Sequence, residues 1–237
     1  MTLTVGSLFS GIGGIDLGLE RAGMTVKWQS EIDPYASQVL KKHWPDIPNL
    51  GDIKTVDWST IEPVDLIAGG YPCQPFSTAG KRQGENDPRH LWPYFRNAIS
   101  AIRPKYALLE NVPGHLSMGA TTVIGDLAQI GYDCEWQLIS AANVGAPHKR
   151  QRLFIVAYPN SQGRQGCFRT QETKPPYGRF DLQGTNSRWG DNWVTEPNMG
   201  RISNGVPRRV DRLRGLGNAV VPQVAEYVGG LILQSLG

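Results

Sequence analysis

Residues 3–9, LTVGSLF, are a short apolar run followed at once by the turn SGIGG and then by helical spacing of Ile15, Leu17, Leu19 and Ala22, closed by Gly23. A strand that passes into a helix through a glycine-rich turn opens a wound α/β sheet, because the glycines let the chain reverse tightly at the strand's end. The alternation then repeats. TVKWQSEI (25–32) is β-branched and alternating; DPYASQVLKKHW (33–44) opens with Asp33 as N-cap and Pro34 at the first helical position. VDLIAGG (64–70) and YALLENV (106–112) are continuous apolar runs bounded by turn residues, as strands buried on both faces are. Helices are expected over 92–102 and 121–130, and strands over YDCEWQLIS and RLFIVAY. A third strand is expected just ahead of Gly51-Asp52-Ile53, which would make VDLIAGG the fourth. The fold class is α/β, a doubly wound Rossmann-like sheet.

At 237 residues the chain can bury one good core with a small second lobe. No apolar run approaches the ~20 residues of a membrane span, and MTLTVGSLFSG lacks a signal peptide's basic start, so a cytoplasmic chain is expected, with no membrane partner. The three cysteines, Cys73, Cys134 and Cys167, suggest neither a disulfide framework nor a metal site. Net charge is only +3, yet residues 158–214 hold ten Lys/Arg against five Asp/Glu, which leaves −2 for the rest. That basic segment is either a solvated loop or the footprint of a polyanion. Composition also changes at Tyr158: residues 159–205 are rich in Gly, Pro, Asn, Gln and Arg. The expected division is therefore 1–157, 158–207 and a C-terminal segment, 208–237, ending in a helix.

The glycine turn lacks the Lys-Ser/Thr of a phosphate loop and the full G-x-G-x-x-G of a dinucleotide site; Gly11, Gly13 and Gly14 give only G-x-G-G. Glu31, ending the second strand, is placed to accept from ribose hydroxyls. Asp52 is placed to accept from an adenine amino group. Singly each could be a cap or a surface charge. Together they point to a nucleoside cofactor that needs no phosphate cradle, and S-adenosylmethionine fits.

Cys73 stands between Pro72 and Gln74-Pro75 directly after VDLIAGG. The prolines stiffen the loop, which suits an aimed nucleophile better than an inert buried thiol. Glu110 ends the next strand on the same rim. Carbon 5 of cytosine attacks a methyl donor only after a thiolate adds to carbon 6, and an acid at N3 stabilises that adduct.

These residues resemble the DNA cytosine-C5 methyltransferases, through PCQPFS (72–77), ENV (110–112), FSGIGG (9–14) and GNAVVP (217–222). The resemblance implies an S-adenosylmethionine-dependent methyltransferase sheet with a small irregular target-recognition lobe. It assigns Cys73 as nucleophile and Glu110 as the acid at N3. HKRQR (148–152) matches a Q-x-R-x-R block whose arginines are Arg150 and Arg152, the second holding the extruded cytosine; His148 replaces the glutamine. Phe9, Gly11, Gly13, Glu31, Ile32, Asp52, Ile53, Pro72 and Asn218 fall at cofactor positions. Ser77, Lys81, Arg82, Gln83 and Arg89, in a segment like the family's mobile loop, fall where they would contact phosphates or bases of DNA; Arg208, Arg209, Arg212 and Arg214 are either phosphate contacts or an ordinary basic helix face. The implied partner is double-stranded DNA, bound by a monomer, or by a pair of chains if the recognition lobe is incomplete. That lobe is short, about fifty residues, and no R-x-L-T block precedes GNAVVP. Methylation of tRNA, an inactive DNA-binding homologue, and a small-molecule methyltransferase are the other readings.

Overall fold

The computed structural model describes residues 2–72, 91–160 and 209–236. Cys73, Ser77, Lys81, Arg82, Gln83, Arg89 and Arg208 lie outside these residues, as does nearly all of 158–207; Arg209 is described only in its backbone. The chain runs β1 (Thr4–Leu8), α1 (Gly14–Arg21), β2 (Thr25–Ser30), α2 (Pro34–His43), β3 (Leu66–Gly70), α3 (Trp92–Ile102), β4 (Tyr106–Asn111), α4 (His115–Met118), α5 (Ala120–Gln129), β5 (Tyr132–Ile139), β6 (Arg152–Pro159), α6 (Arg209–Asn218) and α7 (Pro222–Gln234). Asp33 caps α2: its carboxylate accepts from the N–H groups of Tyr35 and Ala36 at 3.0 and 2.9 Å.

One six-stranded sheet has the order β2-β1-β3-β4-β6-β5. Strands β1 to β4 are parallel, so their carboxyl ends share one rim. Strand β6 enters antiparallel between β4 and β5. Its first residues therefore lie on that same rim, beside the end of β4. Residues 140–151 carry a 3-10 turn (Ala141–Val144) rather than the crossover helix that a parallel pair needs.

The third strand expected ahead of Asp52 does not form. One parallel bridge, Gln29 to Asn49, takes its place, with main-chain bonds from Gln29 N–H to Pro48 and from Leu50 N–H to Gln29. Pro45 and Pro48 have no amide hydrogen to extend the ladder. The segment that carries Cys73 thus follows the third strand of the sheet, not the fourth.

Each face of the sheet has its own core. Val5, Leu66, Leu108, Phe154 and Val156 pack beneath α1 and α7; Leu8, Ile67, Leu109, Leu153 and Ile155 pack with α3 and α5. Helix α7 buries Val224, Ala225, Val228 and Ile232, a single helical stripe. It lies close on α1 because Gly18 has no side chain: a Cβ there would strike the Pro222 carbonyl and Ala225. By length and composition Val210–Gln234 could cross a membrane, but it is two helices broken at 219–221, and α7 turns its apolar stripe inward.

Candidate active site

The turn after β1 has a left-handed backbone at Phe9 (φ 53°), Gly11 (φ 56°) and Gly13 (φ 83°). Gly13 caps α1 in that conformation, and a Cβ there would run into the Trp44 ring. Phe9 is the costly position, since a non-glycine residue rarely adopts positive φ. It is held by packing on Phe95, with ring centroids 6.1 Å apart.

Glu31 fastens this turn to the end of β2. Its carboxylate accepts from Gly11 N–H at 2.8 Å and from Asp33 N–H at 2.7 Å, and each oxygen retains a further lone pair. Ile32, beside it, is 65% exposed. Asp52 accepts from Lys54 N–H at 3.0 Å. Ile53 is buried in the second core. Pro72 is exposed at the rim, and Asn218 is exposed at the end of α6. The carbonyl of Val220, two residues beyond Asn218, lies 2.5 Å from where a Gly14 Cβ would stand. Beneath the turn, buried Asp16 accepts from Ser7 Oγ (3.0 Å) and Gln29 Nε2 (2.8 Å), and burial pushes its carboxyl up to about 6.

Glu110 occupies the next-to-last position of β4 and is 9% exposed. It pairs across the sheet with Phe154, so Arg152, two residues earlier on the same face, reaches it diagonally. Arg152 Nε lies 3.0 Å from Glu110 Oε1. Burial raises the Glu110 carboxyl to about 7 despite the lowering charges of Arg152 and Arg150. A carboxyl in this state exchanges its proton near neutral pH, as an acid/base requires.

Arg150 is turned elsewhere. With φ at 32°, it donates from one guanidinium nitrogen to the carbonyls of Leu216 (3.2 Å), Gly217 (2.6 Å) and Ala219 (2.6 Å). It ties the start of β6 to the end of α6, where unsatisfied carbonyls attract a cation. Its sequence spacing from Arg152 gives no hint of this division. In α6, Arg212 is exposed, and Arg214 stands 3.6 Å from Asp33.

Four residues that the motif reading passes over build the ground on which Glu110 stands. Gly70 pairs with Glu110 across β3 and β4, and a Cβ at Gly70 would come within 2.5 Å of Glu110 Oε2; the glycine makes room for the carboxylate. Asn111 donates from Nδ2 to the Tyr71 carbonyl at 3.1 Å. The Tyr71 hydroxyl and His115 Nε2 share a hydrogen bond of 2.7 Å, and the Tyr71 ring also packs on Trp92 and Phe95. Burial drops His115 to about 4, so it is neutral. Tyr71 and its peptide bond to Pro72 are thus fixed. The available signal was the adjacency of Asn111 to Glu110 and of Tyr71 to Pro72, but nothing in sequence pairs them.

A largely parallel sheet with one antiparallel strand inserted next to its edge, and with a glycine turn and two acidic strand-end positions on one rim, is the sheet of the S-adenosylmethionine-dependent methyltransferases. The model of the C-5 cytosine-specific DNA methylase family matches residues 3–199, and the chain belongs to that family. Similar curated proteins include the Type II methyltransferase M.NgoBI of Neisseria gonorrhoeae, 40% identical over 159 residues (65% of this chain, 50% of that protein). M.Eco47II of Escherichia coli is 41% identical over 165 residues (66% and 40%). The chain thus spans about half or less of the length of these relatives. Among solved structures, a putative DNA modification methyltransferase encoded within an E. coli prophage superposes with a TM-score of 0.60 at 30% identity, covering 70% of this chain and 49% of that one. The S. pombe Dnmt2 methyltransferase gives 0.57 at 25%, covering 69% and 53%.

Proposed function

We propose that this chain transfers a methyl group from S-adenosylmethionine to carbon 5 of an extruded cytosine in double-stranded DNA, as the modification enzyme of a bacterial cell or its phage. The observation that carries this reading is the ion pair of buried Glu110 with half-buried Arg152, set on the rim beside the Tyr71-Pro72 anchor that precedes Cys73 in the chain. Bound S-adenosylmethionine would supply an electrophilic methyl group and leave as S-adenosylhomocysteine. The rim fits it: Glu31 keeps lone pairs for ribose hydroxyls, Ile32 offers an exposed apolar face for adenine, and Asp52 is an acceptor for the amino group. The left-handed turn at Phe9, Gly11 and Gly13 lets backbone approach the amino-acid end.

In this reading the Cys73 thiolate adds to carbon 6. Glu110, carrying a proton, gives it to N3 as the ring gains electrons, and Arg152 holds both Glu110 and the base. Carbon 5 takes the methyl group. Loss of the carbon 5 proton to water then expels the thiolate, and N3 returns its proton to Glu110. Extrusion costs a few kcal/mol, drawn from phosphate contacts by Ser77, Lys81, Arg82, Gln83, Arg89, Arg208 and Arg209. The enzyme works in the cytoplasm as a monomer, or with a second chain that completes target recognition. Incubating the full chain with labelled S-adenosylmethionine and either duplex DNA or tRNA tests the reading. Sequence-resolved 5-methylcytosine in the DNA is expected; label confined to tRNA, or to neither, would overturn it.

A further inference from the structure

At the β2 edge of the sheet, where the third strand fails to form, one side chain ties the residue after β2 to the segment before Asp52. Asn49 satisfies its whole carboxamide. Oδ1 accepts from Glu31 N–H (2.9 Å) and from Gly51 N–H (3.1 Å). Nδ2 donates to the Glu31 carbonyl (3.0 Å) and to Ser37 Oγ (3.1 Å). The amide orientation follows from its partners: a flipped group would turn its NH2 toward two N–H donors. Asn49 thus exchanges both main-chain bonds with Glu31 that a neighbouring strand would have exchanged. Ser30 Oγ adds a bond to the Gly51 carbonyl (2.7 Å), and Ser37 Oγ one to the Glu31 carbonyl (3.2 Å). What this clamp joins are the residue whose carboxylate faces the ribose position and the glycine directly before Asp52.

We infer that Asn49 is a positioning residue of the adenosine site, locking the backbones of Glu31 and Gly51 so that the Glu31 and Asp52 carboxylates are presented at a fixed spacing. The inference rests on the cofactor reading of Glu31 above. Asn49 touches no reacting group; it acts through Glu31 and Asp52. The bridge at Gln29 fixes residues 48 and 50 but makes no bond to Glu31 or Gly51; Ser30 and Ser37 reach only their carbonyls, so the N–H groups of both residues rest on Asn49.

The test measures binding to the full chain by calorimetry, using S-adenosylhomocysteine and an analogue of it that lacks the ribose hydroxyls. Asn49→Ala removes the bonds to the Glu31 N–H and carbonyl together with those to Gly51 and Ser37, and about a tenfold loss of S-adenosylhomocysteine affinity, about 1.4 kcal/mol, is expected. The analogue should lose less than about threefold, because the contact that Asn49 aligns is already missing from it. In turnover, KM for the methyl donor should rise by more than kcat falls. Asn49→Ser, which keeps one short polar group, should show the same pattern at smaller size and serves if the alanine variant does not fold. Glu31→Ala separates the two layers. If it discriminates between the compounds and neither Asn49 variant does, the inference is wrong and the cofactor reading stands. If Glu31→Ala does not discriminate, both fall.

Discussion

Arg152 and Glu110 allow the proton inventory of the site to be tested without touching Cys73. Two unit charges 3.0 Å apart attract by roughly 5 kcal/mol at an effective dielectric of ~20. Desolvation offsets part of this, and an opposite charge at such a distance typically lowers a carboxyl by about 1–3 pKa units. Glu110 rests at about 7 with Arg152 in place. Replacing Arg152 with Met should therefore move its titration to about 8–10. The assay is kcat/KM for DNA as a function of pH. Activity that needs protonated Glu110 falls on the alkaline side, with an apparent pKa near 7 in the wild type. In Arg152→Met the whole curve drops, because a contact to the base is lost, but its alkaline limb should move upward by at least one unit. Arg152→Lys, which keeps the charge, should move it less. Position is the readout, not height. An alkaline limb that stays in place in Arg152→Met, or persists in Glu110→Gln, would refute the assignment of that limb to Glu110.

Other expectations follow from the same geometry. Gly70→Ala should cost on the order of 100-fold in kcat, by displacing the Glu110 carboxylate, with S-adenosylhomocysteine affinity by calorimetry nearly unchanged. Asn111→Ala should slow formation of the covalent adduct and lower stability by about 1–2 kcal/mol, measured by urea unfolding, because the Tyr71 carbonyl loses its donor. Gly18→Ala should lower Tm by roughly 2–12 °C, from about 1–3 kcal/mol of overpacking between α1 and α7. The raised carboxyls of Glu110 and Asp16 bind protons more tightly folded than unfolded, so their contribution to stability is full below about pH 4 and is lost as pH rises through about 6 and 7. Glu110→Gln should flatten that decline, by up to about 3 kcal/mol.

Much of the frame is legible in the residues. The glycine turn, the Asp33 cap and the buried runs at 66–70 and 106–111 announce themselves through local chemistry, and they put Glu31, Glu110 and Pro72 on one rim. What sequence does not disclose depends on who faces whom. The periodicity of RLFIVAY predicts a strand but not its direction, and only the antiparallel entry of β6 brings Arg152 to Glu110. Arg150 and Arg152 read as a matched pair, yet one meets a carboxylate and the other the open carbonyls of α6. The missing third strand could have been suspected from Pro45 and Pro48. Its replacement by the Asn49 side chain could not, since an asparagine before Gly51 reads equally well as an ordinary turn residue. Gly70 looks like a turn signal; only the pairing of β3 with β4 shows that it vacates the space for a carboxylate.

The most direct measurement is mechanism-based trapping. Duplex DNA carrying 5-fluorocytosine, incubated with the full chain and S-adenosylmethionine, should give a denaturation-resistant complex whose peptide map places the modified base on Cys73, because fluorine cannot leave as the proton does. Cys73→Ala should form no adduct yet still bind S-adenosylhomocysteine. Methylation of the unfluorinated duplex without any adduct at Cys73 on the fluorinated one would contradict the thiolate mechanism.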